Sequence, residues 1–445
     1  MRARRVVTAF LEHQGKILIL KRSDKVRTYK RHWAGVSGSI EADESPDERV
    51  ETEIEEETSL NPKDIHFVRK GRPLRIEDGD YLWTVYPFLY RVPQPDRVKI
   101  DWEHTEKRWI YPDEIAGYET VKNLEQTLKR VYLASEIAEG IDKIEQDRAH
   151  GASELASMAL DVLKTAMEFP AIGETDELFE YLSNIGWHLH HIRPSMSPLI
   201  NAIAYVLYQS QRRLNQAENI SDFKRHILKI IDEYKAYLKD ALAIIYRDTK
   251  ALLSDDMTIF THSYSSTVVN AILASGRRNL NIIVTESRPL NEGVKTATKV
   301  AQEYDVTLIT DAQAGYFIAN ADIVLMGADS ILSDGSLINK VGTHLIALAA
   351  QKHKVPVYAL CQTNKFHLRS YDGETIKLEE KDGREVISEN IPNVSVRNIY
   401  FEITPAELIS GIVTEKGILG PKDFASQLKN WRKALACLEQ LDFFC

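Results

Sequence analysis

The chain has 445 residues, 44% apolar and 27% charged. That is room for two or three domains with enough apolar surface to offset chain entropy, which excludes a mainly disordered polymer. With 56 Lys and Arg against 65 Asp and Glu, the net charge is −9, so no overall electrostatic pull acts toward nucleic acid.

The opening MRARRVVTAFLEHQGKILIL is too short in its apolar run for a signal peptide, and it reads as two strands around a turn at Gln14-Gly15. Ser45-Pro46 predicts a helix start, an N-cap followed by proline, with the helix running to about Glu57. Residues 81–92, YLWTVYPFLYRV, predict another strand. After Tyr111-Pro112 the pattern turns helical to about Tyr246, with a break near Pro170–Gly173. From Met257 onward TIFTHS, LNIIVTES, VTLITDA, DIVLMGAD and PVYALCQ are short apolar runs separated by helical stretches. Such alternation indicates a parallel sheet covered on both faces, with ligands at the carboxyl ends of its strands. Those ends carry His262, Ser263, Glu286, Ser287, Asp311 and Asp329. The final stretch, DFASQLKNWRKALACLEQLDFFC, reads as a helix with aromatic residues, docked or forming an interface.

No stretch approaches the ~20 apolar residues of a membrane span. Cys361, Cys437 and Cys445 make neither a disulfide framework nor a zinc-ligand spacing, as expected of a reducing cytoplasm.

Residues 38–60 are the strongest local signal. Ten acidic residues and one base, Arg49, lie between Glu41 and Glu57. Glu53, Glu56 and Glu57 fall at i, i+3 and i+4, one face of a helix. Carboxylates so placed repel unless a hard cation such as Mg²⁺ or Mn²⁺ joins them. A solvated charged face is the alternative.

This segment resembles the Nudix box, G-x5-E-x7-R-E-U-x-E-E-x-G-U, with Gly38, Glu44, Glu53-Ile54, Glu56-Glu57 and Leu60 in register. The resemblance implies an α+β Nudix domain over residues 1–115, a mixed sheet with the acidic helix. It implies metal-dependent hydrolysis of a nucleoside diphosphate linked to another group, with Glu53, Glu56 and Glu57 as metal ligands or base. Glu44 is a weaker candidate. Glu103 and Glu106 are candidates for a downstream glutamate, with a surface loop as the alternative. Lys21 and Arg22 stand near phosphate or at a solvated strand end. Thr52 replaces the arginine that orients the glutamates and cannot supply its bidentate fork. Ser59 replaces the second glycine and is expected to disturb the turn after the helix.

The remainder, about residues 125–445, resembles a superfamily of sugar-phosphate isomerases and the alpha, beta and delta subunits of initiation factor 2B. The likeness rests on GADSILSDGSLINKVGT (327–343), RPSMSPLINAI (193–203), TESRP (285–289) and TPAELISGIVTEKGILGP (404–421). It implies a helical subdomain at 121–250, an α/β Rossmann-like sugar-phosphate domain at 255–445, and a homodimer or larger homo-oligomer. A phosphosugar pocket is expected from Gly151-Ala152-Ser153 at a helix start, Arg193, Ser265, Asn339, Lys340 and Lys365, with Asp329 at a strand end. By resemblance the isomerases convert an aldose 1-phosphate to a ketose 1-phosphate with a cysteine and an aspartate. Asp329 matches the aspartate; Ser263 stands at the cysteine, His150 at an arginine and Ser266 at a lysine. A serine is a poor base without an activating partner, and His262, its neighbour on a strand, is expected on the opposite face. The expectation is a Nudix hydrolase joined to a sugar-phosphate module that binds or regulates. The alternatives are an initiation-factor-like interaction protein with a degenerate Nudix domain, and a bifunctional hydrolase and isomerase.

Overall fold

The computed structural model describes the chain except residues 1, 42, 148–149, 169–171, 194–195, 368–369, 371–377, 379, 390, 427–430, 442 and 444–445. Cys445 and part of the expected break at 170–173 lie outside the described residues. The chain divides into two compact units. One comprises Met1–Glu139, Glu180–His188 and Glu439–Cys445, the other Gly140–Phe179 and Leu189–Leu438.

In the first unit, β1 (Arg2–His13) and β2 (Lys16–Arg22) are antiparallel. Gln14 and Gly15 join them with φ of 49° and 79°, the positive pair whose twist suits a two-residue hairpin. Then follow β3 (Trp33–Ala34), β4 (Val36–Ser39), β5 (His66–Lys70), β6 (Leu74–Asp78), β7 (Tyr81–Arg91) and β8 (His104–Ile110). These form an eight-stranded mixed sheet with central order β3-β2-β1-β7-β5. β4 pairs antiparallel with β1, whereas β7 runs parallel to it from Arg2↔Tyr81 to Glu12↔Arg91.

The acidic helix spans Pro46–Thr58 and starts in a capping box: Ser45 Oγ accepts from Glu48 N–H, and the Glu48 carboxylate accepts from Ser45 N–H. Its buried face places Val50 and Ile54 against Val7, Leu18, Val36 and Phe88. Glu53 and Glu57 lie on the same face. The turn after the helix forms despite the missing glycine. Ser59 itself takes the left-handed conformation, φ 55°, and its N–H caps Glu55 O at 2.9 Å.

The second unit opens with helices, among them Ala152–Thr165, Ser197–Leu214 and Ile220–Leu252. The last buries Phe223, Ile227, Ile230, Tyr234, Leu238, Ala241 and Ile245, the three- and four-residue steps of a single stripe. A seven-stranded sheet follows in the order β11-β10-β9-β12-β15-β17-β18. Its strands are β9 (Thr258–Thr261), β10 (Asn281–Thr285), β11 (Asp305–Ile309), β12 (Ile323–Met326), β15 (Val357–Leu360), β17 (Gly411–Thr414) and β18 (Gly417–Leu419). All its pairings are parallel but the last, β17 with β18. β13 (Ser330–Ile331), β14 (Leu337–Lys340) and β16 (Phe401–Thr404) form a small antiparallel sheet. Near the end, a helix at Arg432–Gln440 buries Cys437 and Leu438. Among the described residues no helix is long and apolar enough to cross a membrane.

Candidate functional site

A cleft of about 370 Å³ opens on the first unit, lined among others by Arg22, Tyr29, Gly38, Arg49, Glu53, Glu56, Asp78, Trp83, Glu103 and Lys122. Glu53 is buried, and Gly38 explains how it fits: a Cβ at 38 would collide with the Glu53 carboxyl. Burial pushes the Glu53 carboxyl above the usual range, and Arg49 pulls it back. The Arg49 guanidinium hydrogen-bonds Glu53 Oε1 and lies 3.6 Å from Glu56 Oε2. Thr52 Oγ1 instead donates to Glu48 O at 3.2 Å. The cation missing at 52 is therefore supplied from one helical turn earlier.

The three box glutamates do not converge. Glu56 is largely exposed, whereas Glu57 is 4% exposed and does not line the cleft. Glu57 Oε1 accepts from Ser37 N–H at 3.2 Å; its Oε2 is buried without a hydrogen-bond partner. Burial holds the Glu57 carboxyl well above its ordinary range, and the charge of Glu53 adds to this. Beside it, His104 Nε2 lies 3.6 Å from Glu57 Oε2, and His104 Nδ1 is 2.9 Å from Asp101 Oδ1. Burial lowers the affinity of His104 for a proton. The oxygen donors and the unpartnered Glu57 oxygen suit a hard cation in kind. In arrangement they do not form a ready-made cage: among the described residues no three His, Cys, Asp or Glu side chains are gathered to hold an ion. Of the other candidates, Arg22 and Glu103 line the cleft. Lys21 and Glu106 pair with each other at 3.8 Å, and Glu44 caps Glu41 N–H at 3.2 Å.

A second cavity, of about 190 Å³, lies in the second unit at the carboxyl ends of the parallel strands. Gly151, Ala152, Ser153, Arg193, Ser263, Ser265, Asp329, Asn339, Lys340 and Lys365 all line it. Gly151 is the N-cap of the helix Ala152–Thr165, so that helix begins at the cavity wall. Lys365 is buried and donates to Ala328 O at 2.6 Å. Arg193 spends much of its guanidinium on backbone: it donates to Ile144 O, Glu145 O (2.8 Å) and Asp147 O (2.6 Å). It thus anchors the chain leading to Gly151 rather than presenting an open fork. His150 lines the cavity too, and its hydrogen bond to Asp147, 2.7 Å, raises its affinity for a proton. Asp311 caps a turn, accepting from Ser287 N–H (2.8 Å) and Arg288 N–H (2.7 Å).

His262 and Ser263 both line the cavity, against the opposite-face expectation, because β9 ends at Thr261 and alternation ends with it. Ser263 has φ 61°, a left-handed conformation costly for a side-chain-bearing residue. His262 is buried; Val341 O, 2.9 Å from Nε2, can only accept, so Nε2 carries the hydrogen. Neutral Nδ1 then accepts from Thr285 Oγ1 (2.5 Å), with Ser287 Oγ 3.1 Å away. His262 is committed to these partners and does not activate Ser263. Gly342, φ 108°, leaves room for this ring: a Cβ there would come within 2.9 Å of His262 Cε1.

Two residues had no signal in the sequence. His104 sits between Glu103 and Glu106, and only β8 turns it toward Glu57. Glu292 opens the helix Glu292–Val300; its carboxylate accepts from Ser263 Oγ (3.1 Å) and Tyr400 OH (2.7 Å) and pairs with Lys340 Nζ at 3.0 Å. Lys340 is buried, lies 3.2 Å from the centroid of the Tyr400 ring, and has its proton affinity lowered by burial, against the pull of Glu292.

Comparison with known proteins agrees with this two-part architecture. The NUDIX domain model matches residues 1–133, and the Initiation factor 2 subunit family model matches residues 148–421. The ribose 1,5-bisphosphate isomerase of Archaeoglobus fulgidus is 33% identical over 293 residues, covering 64% of this chain and 90% of that protein. A crystal structure described as translation initiation factor eIF-2B from Pyrococcus horikoshii OT3 is 30% identical, covers 65% of this chain and 98% of its own, and superposes with a TM-score of 0.55. The 5-methylthioribose 1-phosphate isomerase of the same organism shares the fold at 22% identity and TM-score 0.55, covering 66% of this chain and 87% of its own. The chain belongs to the initiation factor 2 subunit family and carries a NUDIX domain ahead of the family's fold.

Proposed function

We propose that the first unit hydrolyses a nucleoside diphosphate linked to another moiety, of the ADP-ribose or nucleotide-sugar kind, and that the second unit binds a sugar phosphate. The observation that carries the first half is Glu53, buried at the cleft wall over a glycine that alone leaves it room. Glu53 and Glu56, which line the cleft, would hold Mg²⁺ or Mn²⁺, with Glu57 joining only if its side chain turns toward them, and the ion would neutralise the pyrophosphate and activate water. The chain's own part is to bind and orient. Arg22 offers a cation to phosphate, Tyr29 and Trp83 offer ring faces to a base, and Arg49 steadies Glu53. For the second half, the support is a cavity combining Lys340, Lys365 and Asn339 with a helix start, a set suited to phosphate and hydroxyls. The protein then works in the cytoplasm as a homodimer or larger homo-oligomer.

Titration with Mn²⁺ or Mg²⁺ during an ADP-ribose assay tests the hydrolase. Cleavage is expected, and Glu56→Gln is expected to lower it at least ~100-fold; unchanged turnover in that variant removes the role.

One observation favours a second reading, an initiation-factor-like interaction protein with a non-catalytic NUDIX domain: Arg49 already neutralises Glu53. Co-purification with an initiation factor, together with no metal-dependent cleavage, would select it.

A further inference from the structure

The net charge of −9 conceals a local excess of the opposite sign. Residues 1–32 hold ten Lys and Arg against two acidic residues, Glu12 and Asp24. Both acids are already engaged, Glu12 with Arg91 (3.0 Å) and Asp24 with Arg31 (2.8 and 2.9 Å). Arg2, Arg4, Lys25 and Arg27 are exposed and, among the described residues, form no ion pair. The fold gathers these cations at one end of the first unit's cleft. Val6 and Thr8 of β1 line the cleft, and strand alternation puts Arg2 and Arg4 on the same face. Arg2 lies opposite Tyr81 and Arg4 opposite Trp83, with the Arg4 guanidinium 5.8 Å from the centre of the Tyr81 ring. The Tyr81 and Trp83 rings are 5.6 Å apart and half-buried, a row of ring faces leading out of the cleft. From the other side comes the loop 23–32. Its Tyr29 OH donates to Asp78 at 2.6 Å, and Asp78 is the β6 partner of Tyr81, so Lys25, Arg27 and Lys30 are carried to the same end. Val26 is buried beneath this loop, Arg22 Nε donates to Thr28 O at 3.2 Å, and Tyr29 and Arg31 take φ of 52° and 66°. Left-handed backbone at such residues persists only where its surroundings impose it, so the loop presents its cations in a fixed shape.

The bridging diphosphate of a nucleotide-linked substrate is short, and Arg22 on the cleft wall is placed to meet it. Cations farther out gain only from a longer polyanion. Where they alternate with ring faces, the matching polymer is a single strand, whose phosphates follow the charges while its unpaired bases stack. We propose that this end of the first unit binds single-stranded nucleic acid, stacking a base on Tyr81 and tracking the phosphates with Arg4, Lys25 and Arg27. Binding of this kind needs no cleavage, so it goes beyond the hydrolase reading and does not depend on it. Contacts to phosphates and ring faces carry no sequence information, and ribose and deoxyribose strands are held alike.

The test is fluorescence anisotropy of a labelled oligouridine of about 20 nucleotides, titrated with the full chain at several salt concentrations between about 50 and 200 mM. Saturable binding is expected, with Kd on the order of 1–100 μM and log affinity falling against log salt with a slope of about −2 to −3. The triple variant Arg4→Ala, Lys25→Ala, Arg27→Ala removes three phosphate contacts at exposed positions. It should weaken binding at least about tenfold and flatten the slope by about two. Tyr81→Ala should weaken binding about tenfold at unchanged slope, and Tyr81→Phe should restore it, since the ring face remains. An oligothymidine of the same length should bind within about threefold, and a duplex, with its base faces hidden, at least about fivefold more weakly. No saturable binding at the lowest salt, an unchanged slope in the triple variant, or equal affinity for the duplex would each overturn the proposal. Should Tyr81→Ala fail to fold, the triple variant and the duplex comparison still decide.

Discussion

Glu57 shows what a single side chain costs and what it signals. Its carboxyl is buried beside Glu53, with one oxygen unpartnered, so it resists ionisation in the folded chain. A carboxyl whose affinity for a proton is raised on folding favours the folded state while protonated, and stability falls as pH rises from the ordinary glutamate range through its elevated value. Glu57→Gln should therefore stabilise the protein at pH 7–8 by roughly 1–3 kcal/mol, and the gain should vanish toward pH 4. Urea unfolding at the two pH values checks this; an equal gain at both would contradict the assignment. A residue that destabilises its own fold is the kind retained for function. The sequence spacing made Glu57 visible but not its inward direction, because position on a helix face leaves open whether that face meets solvent or sheet.

At the scale of elements, the acidic helix was almost wholly legible. Ser45, Pro46 and Glu48 announce its start, and Val50 and Ile54 mark its inner face. Its end was misjudged in kind, since Ser59 does not disturb the turn but adopts the left-handed backbone itself. That conformation costs a residue with a Cβ about 1 kcal/mol relative to glycine. Ser59→Gly should raise unfolding stability by about that amount, as read by urea denaturation, and leave the helix length unchanged. The arginine substitution was likewise half-visible. Thr52 was seen to lack a guanidinium, while Arg49, four residues before Glu53, was within reach by simple helix geometry. Glu292 was beyond reach of local reasoning: it meets Ser263, Lys340 and Tyr400 only because separate strands of the second unit end at one cavity.

For the molecule as a whole, the change of sequence period located the mixed sheet, the helices and the parallel sheet in order. Apolar runs report burial, and burial is a property of layers. Tertiary placement of polar groups was legible only where strand ends gather them. The proposed pairing of a cleft for nucleotide pyrophosphates with a cavity for sugar phosphates in one chain has a kinetic corollary, since cleavage of ADP-ribose releases ribose 5-phosphate. Added ribose phosphates are expected to change the rate of cleavage by the full chain at least about twofold, measured at fixed metal and substrate; indifference across the physiological range would separate the two activities.

The parallel ladder of β1 on β7 carries a consequence for biogenesis. One edge of β1 is covered by the nearby β2 and β4, but its other edge finds its partner only at 81–91. During synthesis β1 therefore keeps that second edge open until β7 has cleared the ribosome. Late, distant registration of this sort slows folding and exposes sticky intermediates. Chaperone capture of nascent chains should consequently peak before residue 91 emerges and decline once that strand is free.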